Sequence, residues 1–270
     1  MSFQAINLTE HTGAEIRVDV DSLLTPAVAA KVRRTLIDRG VVVFKELNLS
    51  DEQQVALAGL IGTPREEGEK GIMKIALDKK TNARGDYLKG SFYWHLDGTH
   101  DDVPIFASLL SGRRLSQTGG QTEFANSYIA YETLPQATKD QIANLRAVHS
   151  VEVSMRRAGI EATDENVAIW RMNPDKTHPL VWTHKNGRKS LIIGCHASHI
   201  SGMDKAEGER LLQELLAWAT QPAFVYRHEW NVGDLLIWDN TGVLHRAEPY
   251  PEDSGRVMHR TTLHGEEAFA

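Results

Sequence analysis

Residues 223–264 read AFVYRHEWNVGDLLIWDNTGVLHRAEPYPEDSGRVMHRTTLH. Within them 223–230, 235–238, 243–246 and 256–264 are short runs rich in β-branched, aromatic and leucine side chains, and the turn formers Asn231-Val-Gly-Asp234 and Asp239-Asn-Thr-Gly242 separate three of them. Working back along the chain, the same texture recurs at 92–97, 104–110, 121–125, 146–153, 180–183 and 191–193, each predicted as a strand. One long helix intrudes over 204–220, opened by Asp204 with Glu207 three residues on and carrying Leu211, Leu212, Leu215 and Leu216 on one face. Many short strands without strand–helix alternation predict a mainly β fold with flanking helices, a sandwich or jelly-roll barrel rather than a parallel doubly wound sheet.

The N-terminal quarter is mixed. Thr25 followed by Pro26, then Val28, Val32 and Leu36 at four-residue spacing and Gly40 as terminator, predicts an amphipathic helix. It feeds Val41-Val-Val-Phe44, read as a buried strand, and Ser50 with Gln53 forms a capping box for a helix ending near Gly62. Residues 63–90 are charged, glycine-punctuated and weakly periodic, and are read as a lid over a site. There is no internal repeat and no low-complexity tract, so residues 1–270 are read as one domain.

Composition narrows the function. With 41% hydrophobic and 24% charged residues in 270, the chain can bury one sizeable core. Thirty basic against 36 acidic residues leave a net charge of −6, without the basic patch that nucleic acid requires. The single cysteine, Cys195, excludes an intrachain disulfide framework and fits a reducing compartment, so a cytoplasmic location is expected. No apolar run is long enough to span a membrane, and residues 1–15 carry no secretory pattern.

The chemistry centres on three segments. In an extended Trp94-His95-Leu96-Asp97 the side chains of His95 and Asp97 share a face, which places an imidazole beside a carboxylate. With twelve histidines and 36 acidic residues in the chain, such a triplet also arises by chance, and His100-Asp-Asp102 is read as a solvated loop. The strand–turn–strand unit 238–245 delivers a further imidazole, His245, and two histidines with one carboxylate suit non-haem Fe(II) with open coordination positions. Arg256 and Arg260, four apart in a strand-like run, share one face with Met258. If that face lines the barrel, anions must neutralise them; otherwise they are solvated on an edge strand.

Together, His95-x-Asp97, Gly119-Gly-Gln-Thr122, Trp238-Asp-Asn240, His245, Arg256 eleven residues on and Arg260 fifteen on resemble the taurine/2,4-dichlorophenoxyacetate dioxygenase family of Fe(II)- and 2-oxoglutarate-dependent oxygenases. The likeness covers nearly the whole chain, including Thr12-Gly-Ala-Glu-Ile16 and Gly40-Val-Val-Val-Phe44. It implies a double-stranded β-helix, a distorted jelly roll. It further implies that His95, Asp97 and His245 are the catalytic metal ligands, that Arg256 forms a salt bridge to the distal carboxylate of 2-oxoglutarate and Thr122 hydrogen-bonds it, and that dioxygen is the third component. Arg260 then binds the anionic head of a small-molecule substrate, and family members commonly form dimers or tetramers.

Taurine fits less well, because Thr63-Pro-Arg-Glu-Glu lacks the histidine those enzymes carry and Ser91 stands where they have asparagine. Thr183-His184, the run from Arg188 through His196-Ala-Ser-His199, and Val225-Tyr-Arg-His-Glu-Trp look like the phenoxyalkanoate branch. That branch implies an aryloxyalkanoate hydroxylated beside its ether oxygen, so that a hemiacetal forms and collapses. His184, His196 and His199 are candidate substrate-binding residues, each with a packing role as its alternative. Cys195, beside His196, is read as a small core residue. An alkylsulfonate or natural-product substrate, a barrel that binds an anion without turnover, and a zinc hydrolase are the competing readings.

Overall fold

The computed structural model describes residues 2–82 and 85–269. In chain order the strands are β1 (Gln4–Asn7), β2 (Ala14–Arg17), β3 (Val41–Phe44), β4 (Met73–Ile75), β5 (Ala107–Arg114), β6 (Thr122–Asn126), β7 (Arg146–His149), β8 (Lys176–Pro179), β9 (Val181–Thr183), β10 (Lys189–Leu191), β11 (Ala197–Ile200), β12 (Val225–His228), β13 (Leu235–Asp239), β14 (Val243–Ala247) and β15 (Val257–Thr262). The helices are α1 (Val20–Leu23), α2 (Pro26–Arg39), α3 (Asp51–Ile61), α4 (Ser127–Thr133), α5 (Gln136–Ile142), α6 (Val151–Arg157), α7 (Asp164–Arg171) and α8 (Lys205–Ala219). A seven-stranded sheet in the order β1-β2-β3-β13-β5-β15-β4 is accompanied by smaller sheets β12-β6-β14, β11-β7-β8 and β10-β9. The result is a mainly β jelly roll with flanking helices, as the strand count predicts.

Side-chain alternation along the central strands explains the layering. On β3, Val42 and Phe44 pack with Val32 and Leu36 of α2 and Leu57 of α3, whereas Val41 and Val43 face inward to Phe124, Trp238 and Met258. Both faces are covered, so all four residues of Val41–Phe44 are buried, each worth about 1.5–3 kcal/mol. Gly40 ends α2 at φ +74, and a Cβ there would lie 2.6 Å from Val243 Cγ2, so no larger residue could make this turn against β14. The capping box between Ser50 and Gln53 heads α3 as read from the sequence. A second cluster, with Leu211, Leu212 and Leu215 of α8 against Ile142, Trp182, Leu191 and Leu244, closes the other side.

Four expectations need correction. Residues 92–97 are not a strand: a 3-10 helix occupies Gly85–Phe92, and only His95 pairs beyond it, in an isolated bridge to His245. The run 146–153 is a strand only to His149, because the Ser150 side chain accepts the Val153 amide and starts α6. Four short helices, α4 to α7, lie among the predicted strands. Residues 63–90 hold β4 and the 3-10 helix rather than a structureless loop, and residues 83 and 84 of that candidate lid lie outside the described residues. Thr25 precedes α2 without a side-chain cap bond; its hydroxyl donates to the Ser22 carbonyl instead. Among the described residues, no helix is long and apolar enough to cross a membrane.

Candidate active site

His95, Asp97 and His245 come together although 150 residues separate the two histidines (245 minus 95). The amide of His95 donates to the His245 carbonyl at 3.1 Å, and the His245 amide returns the bond to the His95 carbonyl at 2.9 Å. That paired exchange sets the two imidazole centroids 4.1 Å apart. Gly98 (φ +83) turns the chain directly after Asp97, where a Cβ would lie 2.5 Å from the Ile105 amide nitrogen. One ligand atom from each of the three residues lies within 4.8 Å of the others. Nε2 of His95 is 3.7 Å from Asp97 Oδ1, and Nε2 of His245 is 3.7 Å from Oδ2.

The donor set fits a divalent ion. Nδ1 of His95 lies 2.8 Å from the Tyr93 carbonyl, which can only accept, so Nδ1 carries the proton and Nε2 presents its lone pair towards Asp97. Oδ2 of Asp97 is buried without a hydrogen-bond partner, with the Arg260 guanidinium at 3.6 Å its nearest charge, so a lone pair stays free to meet a cation. Burial opposes ionisation of Asp97, yet His245, Arg260, His95 and Arg65 together hold its carboxyl below the ordinary range. Burial, reinforced by His95 and only partly offset by Asp97, pushes the His245 imidazole down to about 3, so it is neutral and able to coordinate.

Of the two arginines, Arg260 lies on the C-terminal strand and Arg256 just before it. Along β15, Thr261 faces Gln54 and His259 faces Asp51 of α3 on the outside, while Met258 packs into the inner cluster and Arg260 points to Asp97, with Nη1 3.6 Å from Oδ2. Nε of Arg260 is buried and has no partner. Arg256, just before β15, is 4% exposed; it donates to the Gly120 carbonyl at 3.1 Å and lies over the Tyr250 ring at 4.6 Å. Among the described residues no carboxylate forms an ion pair with it, and burial pulls its pKa down. Gly120 (φ +82) passes so close that a Cβ would lie 2.9 Å from Arg256 Nε. The buried Thr122 hydroxyl accepts from Trp230 Nε1 at 3.0 Å, which leaves its own proton free to donate.

A cavity of about 260 Å3 opens on His95, Asp97 and Arg260. Its apolar wall includes Leu88 from the 3-10 helix and Val151 and Met155 from α6. Of the three other candidate histidines, the structure brings only His196 to this cavity, and both of its ring nitrogens are already engaged, by the Leu96 amide and by His149. His199 lies on β11 bonded to the Ser198 hydroxyl, and His184 lines a separate cleft beside Tyr128, Asp239 and Thr241. Burial, with Arg188 adding to it, pushes His184 down to about 4. Cys195 is a buried small residue that contacts the Ser154 hydroxyl. Sequence reasoning missed Val151 and Met155; Ser150, a good N-cap ahead of the acidic Glu152, was the available signal for their helix.

Comparison with known proteins bears on the class of enzyme. Residues 4–262 match the family described as taurine catabolism dioxygenase TauD, TfdA family. The chain is 37% identical over 265 residues to an alpha-ketoglutarate-dependent 2,4-dichlorophenoxyacetate dioxygenase of Cupriavidus pinatubonensis, covering 91% of each chain. It is 35% identical to an (S)-phenoxypropionate/alpha-ketoglutarate-dioxygenase of Sphingobium herbicidovorans, covering 86% of this chain and 84% of that one. The solved structure of AAD-2 in complex with Mn(II) and N-oxalylglycine superposes with a TM-score of 0.87 at 34% identity, covering 100% of both chains. A match over almost the full length, to a family whose chemistry uses Fe(II), 2-oxoglutarate and dioxygen, settles the class of enzyme: the chain belongs to the TauD/TfdA family of 2-oxoglutarate-dependent dioxygenases.

Proposed function

We propose that the enzyme hydroxylates a small aryloxyalkanoate, with His95, Asp97 and His245 holding Fe(II), Arg256 and Thr122 holding the distal carboxylate of 2-oxoglutarate, and Arg260 holding the substrate carboxylate. The observation that carries this reading is the pair of interior guanidinium groups at the end of the chain. Arg256 is buried without a carboxylate partner, and Arg260 leaves its Nε unpaired at a cavity lined in part by Leu88, Val151 and Met155. Arg256 thus lacks an anionic partner and Arg260 keeps donors beyond its contact with Asp97, and a planar guanidinium binds a carboxylate through two charge-assisted hydrogen bonds.

When bound, Fe(II) supplies the redox chemistry that couples decarboxylation of 2-oxoglutarate by dioxygen, giving succinate and CO2, to hydroxylation of a substrate C–H bond. The chain's own residues do the positioning. Asp97 and the Nε2 atoms of His95 and His245 form a three-donor face that leaves open positions. Arg256 and the Thr122 hydroxyl fix the orientation of the cosubstrate from beside β6. Arg260, next to Asp97, holds the substrate's charged end while Leu88, Val151 and Met155 exclude water from its apolar body. A hydroxyl placed on the carbon that bears the ether oxygen gives a hemiacetal, which collapses to a phenol and an oxo acid.

The cavity walls include Tyr87 and Leu88, which supports the reading of 63–90 as a lid within one domain. The free, buried Cys195 supports a reducing cytoplasm, and a dimer or tetramer is the expected assembly, to be measured by light scattering. The test of substrate is aerobic turnover with Fe(II), 2-oxoglutarate and a panel of aryloxyalkanoates and alkylsulfonates. Phenol and succinate in equal amounts are expected. Sulfite release in place of phenol overturns the substrate assignment, and turnover without dioxygen overturns the reaction.

A further inference from the structure

The segment 94–97 carries two of the three groups of the proposed centre, yet it belongs to no sheet. Its backbone is held in three ways. The Trp94 carbonyl accepts the Cys195 amide at 2.8 Å, and His95 exchanges both of its bonds with His245. Leu96, between the two ligand residues, donates its amide to a side chain, Nε2 of His196, at 3.1 Å. The imidazole stands where a neighbouring strand would have put a carbonyl.

This bond dictates the tautomers behind it. A backbone N–H can only donate, so His196 Nε2 carries a lone pair and the ring proton sits on Nδ1. That Nδ1 lies 2.7 Å from Nδ1 of His149, which must therefore accept and keep its own proton on Nε2. Both rings are neutral: burial pushes His196 well below its ordinary range and His149 down to about 3. The order Leu96 amide, His196, His149 runs in one direction only.

The loop that presents His196 is itself fixed. Arg157 of α6 donates to the carbonyls of Cys195 and Ala197, both at 2.8 Å, and the Ser150 amide donates to the His196 carbonyl at 2.9 Å. Gly194 lets this loop approach, since a Cβ there would lie 2.9 Å from the Trp94 carbonyl oxygen and 3.0 Å from His95 Cα.

We infer that His196 is a positioning residue that clamps the peptide between His95 and Asp97, and that His149 fixes the tautomer which makes the clamp possible. The inference rests on the reading of His95, Asp97 and His245 as metal ligands. With both nitrogens committed, His196 offers the cavity only its ring edge and is not a ligand for a substrate carboxylate. Its place is that of the outer partners that orient the first ligands of a metal, whose loss typically weakens metal binding about ten- to a hundredfold.

The test measures Mn(II) affinity of the metal-free protein by electron paramagnetic resonance, alongside thermal denaturation of each variant. His196→Gln keeps an acceptor within reach of the Leu96 amide; His196→Asn still reaches His149 but is too short for Leu96; His196→Leu does neither. The clamp predicts that Gln stays within about threefold of the parent, whereas Asn and Leu weaken Mn(II) about tenfold or more, whatever their melting temperatures. His149→Leu should lie between. Parent-like affinity in the Leu variant, or Gln and Asn behaving alike, overturns the clamp, and the Gln–Asn pair decides if Leu does not fold. His245→Ala run in parallel separates the two readings: if it binds Mn(II) undiminished, the metal centre itself was misplaced, whereas loss of binding there beside parent-like binding in His196→Leu refutes the clamp alone.

Discussion

Replacing Arg256 with methionine separates two roles that a buried charge can have. The guanidinium is 4% exposed, makes one hydrogen bond to the Gly120 carbonyl, rests on Tyr250 and meets no carboxylate among the described residues. Two charge-assisted hydrogen bonds to the distal carboxylate of 2-oxoglutarate are together worth about 3–6 kcal/mol, so Arg256→Met should weaken 2-oxoglutarate roughly a hundredfold to ten-thousandfold. Folding of the ligand-free protein should respond differently. Removing an uncompensated buried charge recovers several kcal/mol. Against that stand about 1–3 kcal/mol for stranding the Gly120 carbonyl and about 0.5–2 kcal/mol for the lost cation–π contact. These terms nearly cancel, and stability should stay within about 2 kcal/mol of the parent. Anaerobic calorimetric titration with 2-oxoglutarate gives the first quantity and urea denaturation the second. Added 2-oxoglutarate should raise the melting temperature of the parent and not that of the variant. A variant that binds 2-oxoglutarate within tenfold of the parent, or whose ligand-free form loses more than about 4 kcal/mol, refutes the reasoning.

Asp97→Asn and His245→Ala should each abolish succinate formation and weaken Mn(II) by a hundredfold or so, read by equilibrium dialysis; retained turnover in either contradicts the three-donor site. Met155→Ala enlarges the apolar wall and should raise KM for a short aryloxyalkanoate several-fold while leaving KM for 2-oxoglutarate unchanged; a shift in the latter alone means the cavity is misassigned. His149 is buried and held neutral down to about 3, whereas in the unfolded chain it protonates below its ordinary value of 6.5. The unfolded state therefore binds more protons below 6.5, and stability should drop as pH falls below 6.5, by up to about 1.4 kcal/mol per unit from this residue. Denaturation between pH 7 and 5 should show a shallower slope in His149→Gln, and an unchanged slope contradicts the assignment. Asp234, held down to about 2 by His228 and the Asn231 and Glu46 amides against burial, adds stability that is present above 3.8 and lost as pH falls towards 2. In Asp234→Asn that acid limb of the denaturation profile should disappear; its persistence would show that another carboxylate carries it.

The barrel strands were legible because their pattern is local. Val41–Phe44 is β-branched and apolar on both faces, and the structure buries it on both. Alternation along Arg256 to Thr262 foretold that Met258 and Arg260 share a face, and the packing of Met258 inside and His259 outside follows it. What failed was punctuation by single polar side chains. Asn126, Ser150 and Thr163 each accept backbone amides and start helices of seven or eight residues, too short for hydrophobic periodicity to reveal. The segment Phe92 to Asp97 alternates like a strand, but it meets β14 only at His95, and a histidine ring rather than a second strand takes the Leu96 amide. The sequence pairs His95 with Asp97 through a strand-like alternation, and the structure brings them together without that strand. The apolar wall at Val151 and Met155 and the bond from Leu96 to His196 come from contacts across 50 to 100 residues of sequence, which no short window contains.

The reciprocal pair between His95 and His245 joins residues 150 apart, beside the β5–β13 and β6–β14 ladders that hold the same parts of the chain together. With the β5–β13 and β6–β14 ladders formed, what the pair pins is chiefly the stretch between His95 and Ala107, so its own loop-closure cost is small. An ion shared by the two imidazoles and Asp97 would act as a staple at that junction, so its binding energy becomes resistance to unravelling of that stretch. Protease should cut the metal-loaded protein more slowly than the stripped one, with the difference concentrated between residues 95 and 107; equal rates would mean the stretch is held without help.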